Sequence, residues 1–211
     1  LSGVEIPKPK FMSSHLTQMS RSITGSSIQK GEKDCVGEKI LLNLGKQPFV
    51  NNLCLSQEAA LNAKTYPLCA TINSDLEIRL NEEVNPDELY KDYLYRSSVN
   101  KPFINHCRLL WHKVKHLKHD TIIDVGGNDG TLLKAIQSQT KDYFSKDTDV
   151  PKANLIFTTN AFQHTSDAEK FVGGIAEKLD GTWILEFPYT LRTLHTLQFD
   201  QFYHEHYHYW L

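Results

Sequence analysis

Short apolar runs alternate with helical patterns in the second half of the chain. Residues 121–125, 154–160 and 182–186 are β-branched or apolar runs of the kind that form buried strands. Between them, apolar residues at helical spacing predict one helix that begins near Thr131 and another over residues 168–179. Because strands joined by helical crossovers pair in parallel, this order predicts an α/β core with a Rossmann-like parallel sheet.

A set of shorter elements precedes this core. Residues 40–44 predict a short strand and residues 70–80 a second strand, while Ser56 and Asn85 are suited to cap short helices. We interpret these elements as a small N-terminal α+β unit over residues 35–100.

The remaining boundaries follow from local pattern and composition. An apolar stripe over residues 101–117 predicts a helix that leads into the first core strand. Asp180 and Gly181 are expected to form the turn before the third core strand. Residues 1–34 mix Ser, Thr, Lys and Pro without an apolar segment, which favours a disordered leader over a secretion signal. The core is therefore predicted over residues 101–211.

Charge and cysteine content narrow the class of protein. The formal net charge of -2 gives no reason to expect a nucleic acid or an anionic membrane as partner, and the apolar runs are too short to span a bilayer. The cysteines form no CxxC pair, which favours reduced thiols in a cytoplasmic protein. They are Cys35, Cys54, Cys69 and Cys107.

The segment GGNDG follows the first core strand and is a candidate cofactor loop. Gly126, Gly127 and Gly130 allow the backbone to turn tightly, and a helix that begins nearby would direct unpaired N–H groups into the same space. Asp124 and Asp129 add carboxylates, which disfavour a phosphate and suit hydroxyls or an amine. The loop departs from GxGxxG and fits S-adenosylmethionine, although an ordinary glycine-rich turn explains the loop equally well.

A histidine-rich stretch over residues 198–210 is the second candidate site. In an extended segment His204, His206 and His208 would share one face, opposite the intervening Tyr and Glu side chains. Imidazoles in this arrangement suit proton transfer, and they could also bind a divalent metal. An aromatic-rich edge strand with a purely structural role is the remaining interpretation.

Several blocks of the sequence follow one another in a recognisable order: LGKQPFVNNL, NPDELYKDYLYRSS, IIDVGGNDGTLL, NAFQHTSDAEKFVGGI, and EFPYTL together with FDQFYHEHYHYW. In this order the blocks resemble those of the S-adenosylmethionine-dependent C-methyltransferases that act on nucleotide-linked deoxysugars. The resemblance covers most of the chain from Gly45 onward and implies a class I methyltransferase core. Its YHEH element discriminates better than the glycine-rich loop, which many methyltransferases share.

The resemblance also implies a reaction and a set of site residues. A base would remove the proton next to a sugar ketone, and the enolate would attack the cofactor's methyl group. His206 matches the base, Glu205 and Tyr203 match residues that orient the base or the sugar, and Tyr95 would close over the site. The implied cofactor-binding residues are Asp124, Gly126, Asn128, Asp129, Asn160, Ala161 and His164. His164 could equally cap a helix or serve packing.

The chain departs from that family in three places. Cys35 alone falls near the first zinc-binding cysteine pair, and Ile72 and Asp75 stand where the second pair is expected, so no metal is expected. Residues 141–153 are too few for the strand, helix and strand that normally intervene and supply ribose and adenine contacts. The chain stops at Leu211, whereas the family continues into a C-terminal domain.

These departures leave two hypotheses of different classes. One is a shortened C-methyltransferase acting on a nucleotide-linked sugar, and the other is a non-catalytic remnant that binds a sugar nucleotide or a partner. A metal-dependent enzyme that uses the three histidines is a third. Without the missing strands, residues 121–125 would lie at a sheet edge, which predicts self-association unless Tyr143 and Phe144 cover that edge.

Overall fold

The computed structural model describes residues 38–90, 94–136 and 150–211, which form two β-sheets with helices packed against them. The predicted leader over residues 1–34 lies outside the described residues, as do Tyr143 and Phe144. Within the described ranges, none of the helices has the length and apolar character needed to cross a bilayer.

A parallel sheet forms the centre of the predicted core. It contains β4 (Ile122–Asp124), β5 (Ala153–Thr159) and β6 (Leu179–Glu186) in that order, and both strand pairs are parallel. The prediction of a parallel α/β arrangement is therefore confirmed. The architecture is mixed α/β and compatible with a Rossmann-like fold.

Helices cover both faces of this sheet. On one face, α3 (Lys101–Val114) packs its buried Cys107 near Phe157 of β5. On the other face, Ile175 of α5 (Ala168–Lys178) packs near Ile156. Because every residue of β5 is buried, this strand lies at the centre of the hydrophobic core. Two shorter helices complete the core, α4 (Thr131–Ala135) and α6 (Thr190–His195).

An antiparallel sheet forms the N-terminal unit. Its strands, in spatial order, are β1 (Lys39–Gln47), β2 (Tyr66–Ile72), β3 (Ile78–Leu80) and β7 (His208–Tyr209). Two short capped helices belong to the same part of the chain: α1 (Gln57–Leu61) follows β1, and α2 (Pro86–Leu89) follows β3. Ser56 and Asn85 cap them as predicted, each accepting a hydrogen bond from a backbone N–H of the first turn.

The last strand comes from the far end of the chain. Tyr209 pairs with Ile78 and His208 with Arg79, so the C-terminal stretch completes the sheet of the N-terminal unit. The division near residue 100 stays a prediction, and the antiparallel sheet contains strands from both sides of it.

Two local predictions are wrong. The strand predicted over residues 70–80 is two strands, because the Asn73 side chain accepts amide hydrogen bonds from Asp75 and Glu77 and closes a turn between them. The turn predicted at Asp180 and Gly181 does not exist, since both residues belong to β6, which begins immediately after α5 ends.

Candidate active site

A cleft of about 780 Å³ lies beyond the carboxyl ends of the parallel strands. Ligands in open parallel sheets bind at this edge. The residues that follow β4 and β5 form its floor, the N-terminal unit supplies one wall, and residues 201–206 supply another. The cleft thus lies between the edge of the parallel sheet and segments that follow or precede the strands of the antiparallel sheet.

Most of the predicted site residues line this cleft. They are Tyr95, Gly126, Asn128, Asn160, Ala161, His164, Tyr203, Glu205 and His206. Asp124 and Asp129 do not line it. Asp124 is buried at the end of β4, and the Asp129 carboxylate accepts a hydrogen bond from Ser98.

The glycine-rich loop packs closely on the segment that follows β5. Gly126 has a φ of 72°, and a Cβ atom there would lie 2.5 Å from the Cβ of Ala161. Asn128 also has a positive φ, of 51°, in the left-handed region that Asn tolerates better than most residues. The loop therefore needs glycine at residue 126 both for its conformation and for its approach to Ala161.

Asp124 carries a buried carboxyl group beneath the loop. Its side chain is 5% exposed, and neither of its oxygens has a hydrogen-bond partner among the described residues. Burial raises the pKa of Asp124 to about 7. A Cβ atom on Gly127 would lie 2.5 Å from Oδ2, so glycine at this position leaves room for the carboxyl group. A ligand that donates hydrogen bonds would satisfy these oxygens.

Asn128 and Asp129 contact residues 94–99, which we call the strap. Asn128 accepts a hydrogen bond from the Ser97 N–H at 3.2 Å and donates one to the Tyr95 carbonyl at 3.1 Å. Asp129 accepts one from the Ser98 N–H at 3.0 Å. Burial alone would raise the pKa of Asp129, but the hydrogen bonds from Ser98 and Thr131 lower it to about 2.

His206 forms a buried pair with Tyr203. Its Nε2 lies 2.7 Å from the Tyr203 hydroxyl, and a backbone hydrogen bond joins the ring to Gln201. Burial, followed by the charge of nearby His164, lowers the pKa of His206 to about 3. The imidazole is therefore neutral at physiological pH, with Nε2 in position to accept a proton from Tyr203.

Glu205 is held by Asn51, a residue to which the sequence assigned no role. The Asn51 amide nitrogen lies 2.8 Å from each oxygen of the Glu205 carboxylate, and Glu205 is 2% exposed. Burial raises the pKa of Glu205, opposed by the hydrogen bonds from Asn51. The only hint in the sequence was that Asn51 falls within one of the resembling blocks.

Two further residues contact the histidines of the cleft. The Tyr90 hydroxyl lies 3.4 Å from Nδ1 of His164, and the Gln163 amide nitrogen lies 3.5 Å from Nε2 of His206. The two imidazole rings stand edge to face, with centroids 4.9 Å apart. Burial lowers the pKa of His164 as well, so the cleft contains two neutral imidazoles.

The predicted common face of three histidines does not form. Residues 204–205 make a turn, so the alternation of an extended strand does not apply. His204 instead lies 3.3 Å and 3.2 Å from the backbone carbonyls of Tyr66 and Pro67. His208 stacks on Trp210, outside the cleft.

The described part of the chain contains no cluster of His, Cys, Asp and Glu that could hold a metal ion. Its cysteines are free thiols in different surroundings, with Cys54 exposed and Cys107 buried. Cys35 lies outside the described residues.

Comparison with known proteins adds one distant relative. No protein-family model matches the chain. The chain is similar to C-methyltransferase NovU from Streptomyces niveus, with 22% identity over 206 residues that cover 80% of this chain and 49% of that protein. The chain thus spans about half the length of the curated relative it matches.

Proposed function

We propose that this chain carries the core of an S-adenosylmethionine-dependent C-methyltransferase of class I, acting on a keto sugar linked to a nucleotide. The observation that carries the proposal is the position of the cleft. It brings the glycine-rich loop, the strap and the Tyr203–His206 pair together at the carboxyl edge of a parallel sheet. The distant similarity to a C-methyltransferase supports the same reaction class.

The residues beneath the glycine-rich loop fit such a cofactor. Asp124 does not line the cleft, but its unpartnered carboxyl lies directly beneath the loop, where it can accept hydrogen bonds from an amine or hydroxyls that reach it. Glycine at residue 126 permits the close approach of the loop to Ala161. Asn160 and Ala161 would line the opposite side. S-adenosylmethionine supplies an electrophilic methyl group when bound.

The other side of the cleft suits an uncharged, hydroxyl-rich acceptor. Asn51, Tyr95, Tyr203 and Glu205 offer donors and acceptors there, whereas no Lys or Arg is found in the described lining. A cleft without a cation recognises hydroxyls and a carbonyl better than phosphates. We therefore assign the sugar ring, and not the diphosphate, to these residues.

The Tyr203–His206 pair can remove a proton from carbon without large movement. The Tyr203 oxygen takes the proton of the substrate C–H bond while its own proton passes to Nε2 of His206, which leaves an enolate on the sugar. The backbone hydrogen bond to Gln201 orients the imidazole for this transfer. His206 is thus the final proton acceptor and Tyr203 the group that touches the substrate.

Calorimetric titration with S-adenosylmethionine tests the proposal. We expect saturable binding by the wild type and a loss of at least about tenfold in affinity for Asp124→Ala, the effect of a lost hydrogen bond to a charged group. Asp180→Ala is the matched control, because Asp180 is exposed near the amino end of β6, whereas Asp124 ends β4 at the carboxyl edge beneath the loop. Its affinity should equal that of the wild type.

The opposite outcome has a definite meaning. Absence of saturable binding at about 1 mM cofactor, weaker than about 4 kcal/mol of binding free energy, would contradict the methyltransferase proposal for this chain. The non-catalytic alternative, a protein that binds a sugar nucleotide or a partner, would then be the one to test.

A further inference from the structure

Asn128 and Asp129 present their side chains to the strap. We propose that they are positioning residues that hold the strap against the glycine-rich loop, so that Tyr95 keeps its place at the cleft. We call the hydrogen bonds from Asn128 and Asp129 to the strap the clamp. These hydrogen bonds do not depend on the proposed function. The acceptor-side role of Tyr95 does rest on it.

The Asn128 carboxamide contacts the strap through both of its ends. Its oxygen accepts from the Ser97 N–H, and its nitrogen donates to the Tyr95 carbonyl two residues earlier. A carboxamide has both a donor and an acceptor, so this one side chain binds the strap at two points. The left-handed backbone of Asn128 belongs to the same turn that opens the loop, so the loop conformation and the clamp depend on one residue.

Asp129 adds a charged acceptor beside it. One carboxylate oxygen accepts from the Ser98 N–H at 3.0 Å, and the other accepts from the Thr131 hydroxyl at 2.5 Å. Lys134 donates to the Asp129 carbonyl at 2.7 Å and fixes the backbone of the same residue. Hydrogen bonds to a charged group are stronger than neutral ones, so Asp129 reinforces the grip of Asn128.

The strap has little apolar packing to hold it in place. Tyr95 is 41% exposed and Val99 is 77% exposed, whereas Ser97, which carries one of the two clamped amides, is 6% exposed. The C-terminal end of the strap is fixed by Asn100, which caps α3. The clamp is a contact that helps to fix the part of the strap that carries Tyr95.

Limited digestion with trypsin measures the clamp directly, because Arg96 places a cleavage site inside the strap. The strap must detach from Asn128 before the Arg96–Ser97 bond can enter the active site of trypsin. For Asn128→Gly, which keeps the positive φ but removes both hydrogen bonds, we expect cleavage at Arg96 to be about tenfold faster than in the wild type. Asp129→Ala should also speed cleavage, and Asp129→Asn, which keeps the acceptor oxygen, should restore most of the protection.

Two controls separate the clamp from general destabilisation. Asn160→Gly removes an Asn that has the same backbone conformation, with a φ of 52°, and that also lines the cleft, so cleavage at Arg96 should stay at the wild-type rate. Cleavage after Arg79, next to the buried Leu80 of β3, reports on unfolding and should be unchanged in Asn128→Gly. Equal rates at Arg96 in Asn128→Gly and the wild type would overturn the proposal.

Amide hydrogen exchange on the wild-type chain provides an independent measurement that needs no variant. The N–H groups of Ser97 and Ser98 should exchange about tenfold or more slowly than that of Ser56, which the structure leaves exposed before α1. Exchange of the strap amides as fast as that of Ser56 would contradict the clamp, even if Asn128→Gly failed to fold. Neither measurement uses the cofactor, so failure of the proposed function leaves both readouts intact.

Discussion

Burial of His206 links the chemistry of the cleft to the stability of the fold. The folded chain keeps this imidazole neutral down to about pH 3, whereas the unfolded chain binds the proton near pH 6.5. The neutral form therefore contributes stability that is fully present above pH 6.5 and is lost as the pH falls from 6.5 towards 3. The same burial leaves Nε2 unprotonated at neutral pH, and the negative charge of an enolate formed beside it would raise the pKa of the imidazole.

We expect His206→Asn to make the chain less sensitive to acid. Between pH 7.5 and pH 5 the free energy of unfolding should fall by about 2 kcal/mol more in the wild type than in the variant. The reason is that the variant has no imidazole at residue 206 that must stay neutral in the folded chain. Urea denaturation at the two pH values measures the difference. His112→Asn, at an exposed position on α3, should behave as the wild type does, and an equal acid sensitivity of all three chains would contradict the expectation.

The site residues show which contacts a sequence can reveal. Tyr203, Glu205 and His206 could be proposed together because they are neighbours in a recognisable segment. Asn51 could not, since it lies 154 residues from the Glu205 carboxylate that it binds. Asn128 was proposed as a cofactor ligand, but the strap that its side chain contacts comes from a distant part of the chain. Contacts of this kind join segments that are separated along the chain, so a local sequence pattern does not reveal them.

At the scale of elements, continuous apolar runs predicted the parallel strands correctly, whereas local turn signals misled. β5 could be recognised because every residue of it is buried and its sequence is accordingly apolar. The dipeptide Asp180-Gly181 resembles a turn, but it lies within β6 at a register irregularity, between Leu179 and Thr182, which both pair with β5. In the histidine-rich stretch the reverse happened, because a turn at residues 204–205 replaced the predicted extended segment.

Gly181 shows why β6 tolerates no side chain at this point. A Cβ atom there would lie 2.2 Å from the Asn154 carbonyl oxygen, so Gly181→Ala must push two paired strands apart. We expect the substitution to lower the free energy of unfolding by about 1–3 kcal/mol. Gly173→Ala on α5 is the control, since a Cβ atom there meets nothing within 4 Å and should stabilise the helix by about 0.5–1 kcal/mol. The melting temperatures of both variants, measured by thermal unfolding, test this expectation. An unchanged melting temperature for Gly181→Ala would refute the steric argument.

At the scale of the whole molecule, the edge of the parallel sheet bears on assembly. In the described ranges β4 pairs with β5 on one side, and no strand of those ranges pairs with its other side. Self-association through this edge stays a prediction from the sequence. An apolar edge with unpaired backbone groups favours pairing with a second chain.

Sedimentation velocity over a range of concentrations tests this prediction. We expect the weight-average mass to rise with concentration, and Thr121→Lys, which places a charge just before β4, to suppress that rise. Thr196→Lys, exposed after α6, should associate as the wild type does. A wild-type chain that stays monomeric up to about 100 μM would argue against an open edge. A dissociation constant of about 100 μM corresponds to about 5–6 kcal/mol of association free energy.

The pairing of β3 with β7, which comes from a much later part of the chain, also affects the order in which the protein can fold during synthesis. β1, β2 and β3 leave the ribosome early, but the strand that completes their sheet is made from residues 208–209. The outer edge of β3 therefore stays unpaired while the parallel core, which lies between β3 and β7 in the sequence, is translated. Nascent chains shortened before Tyr209 should for this reason bind chaperones longer than chains that include it.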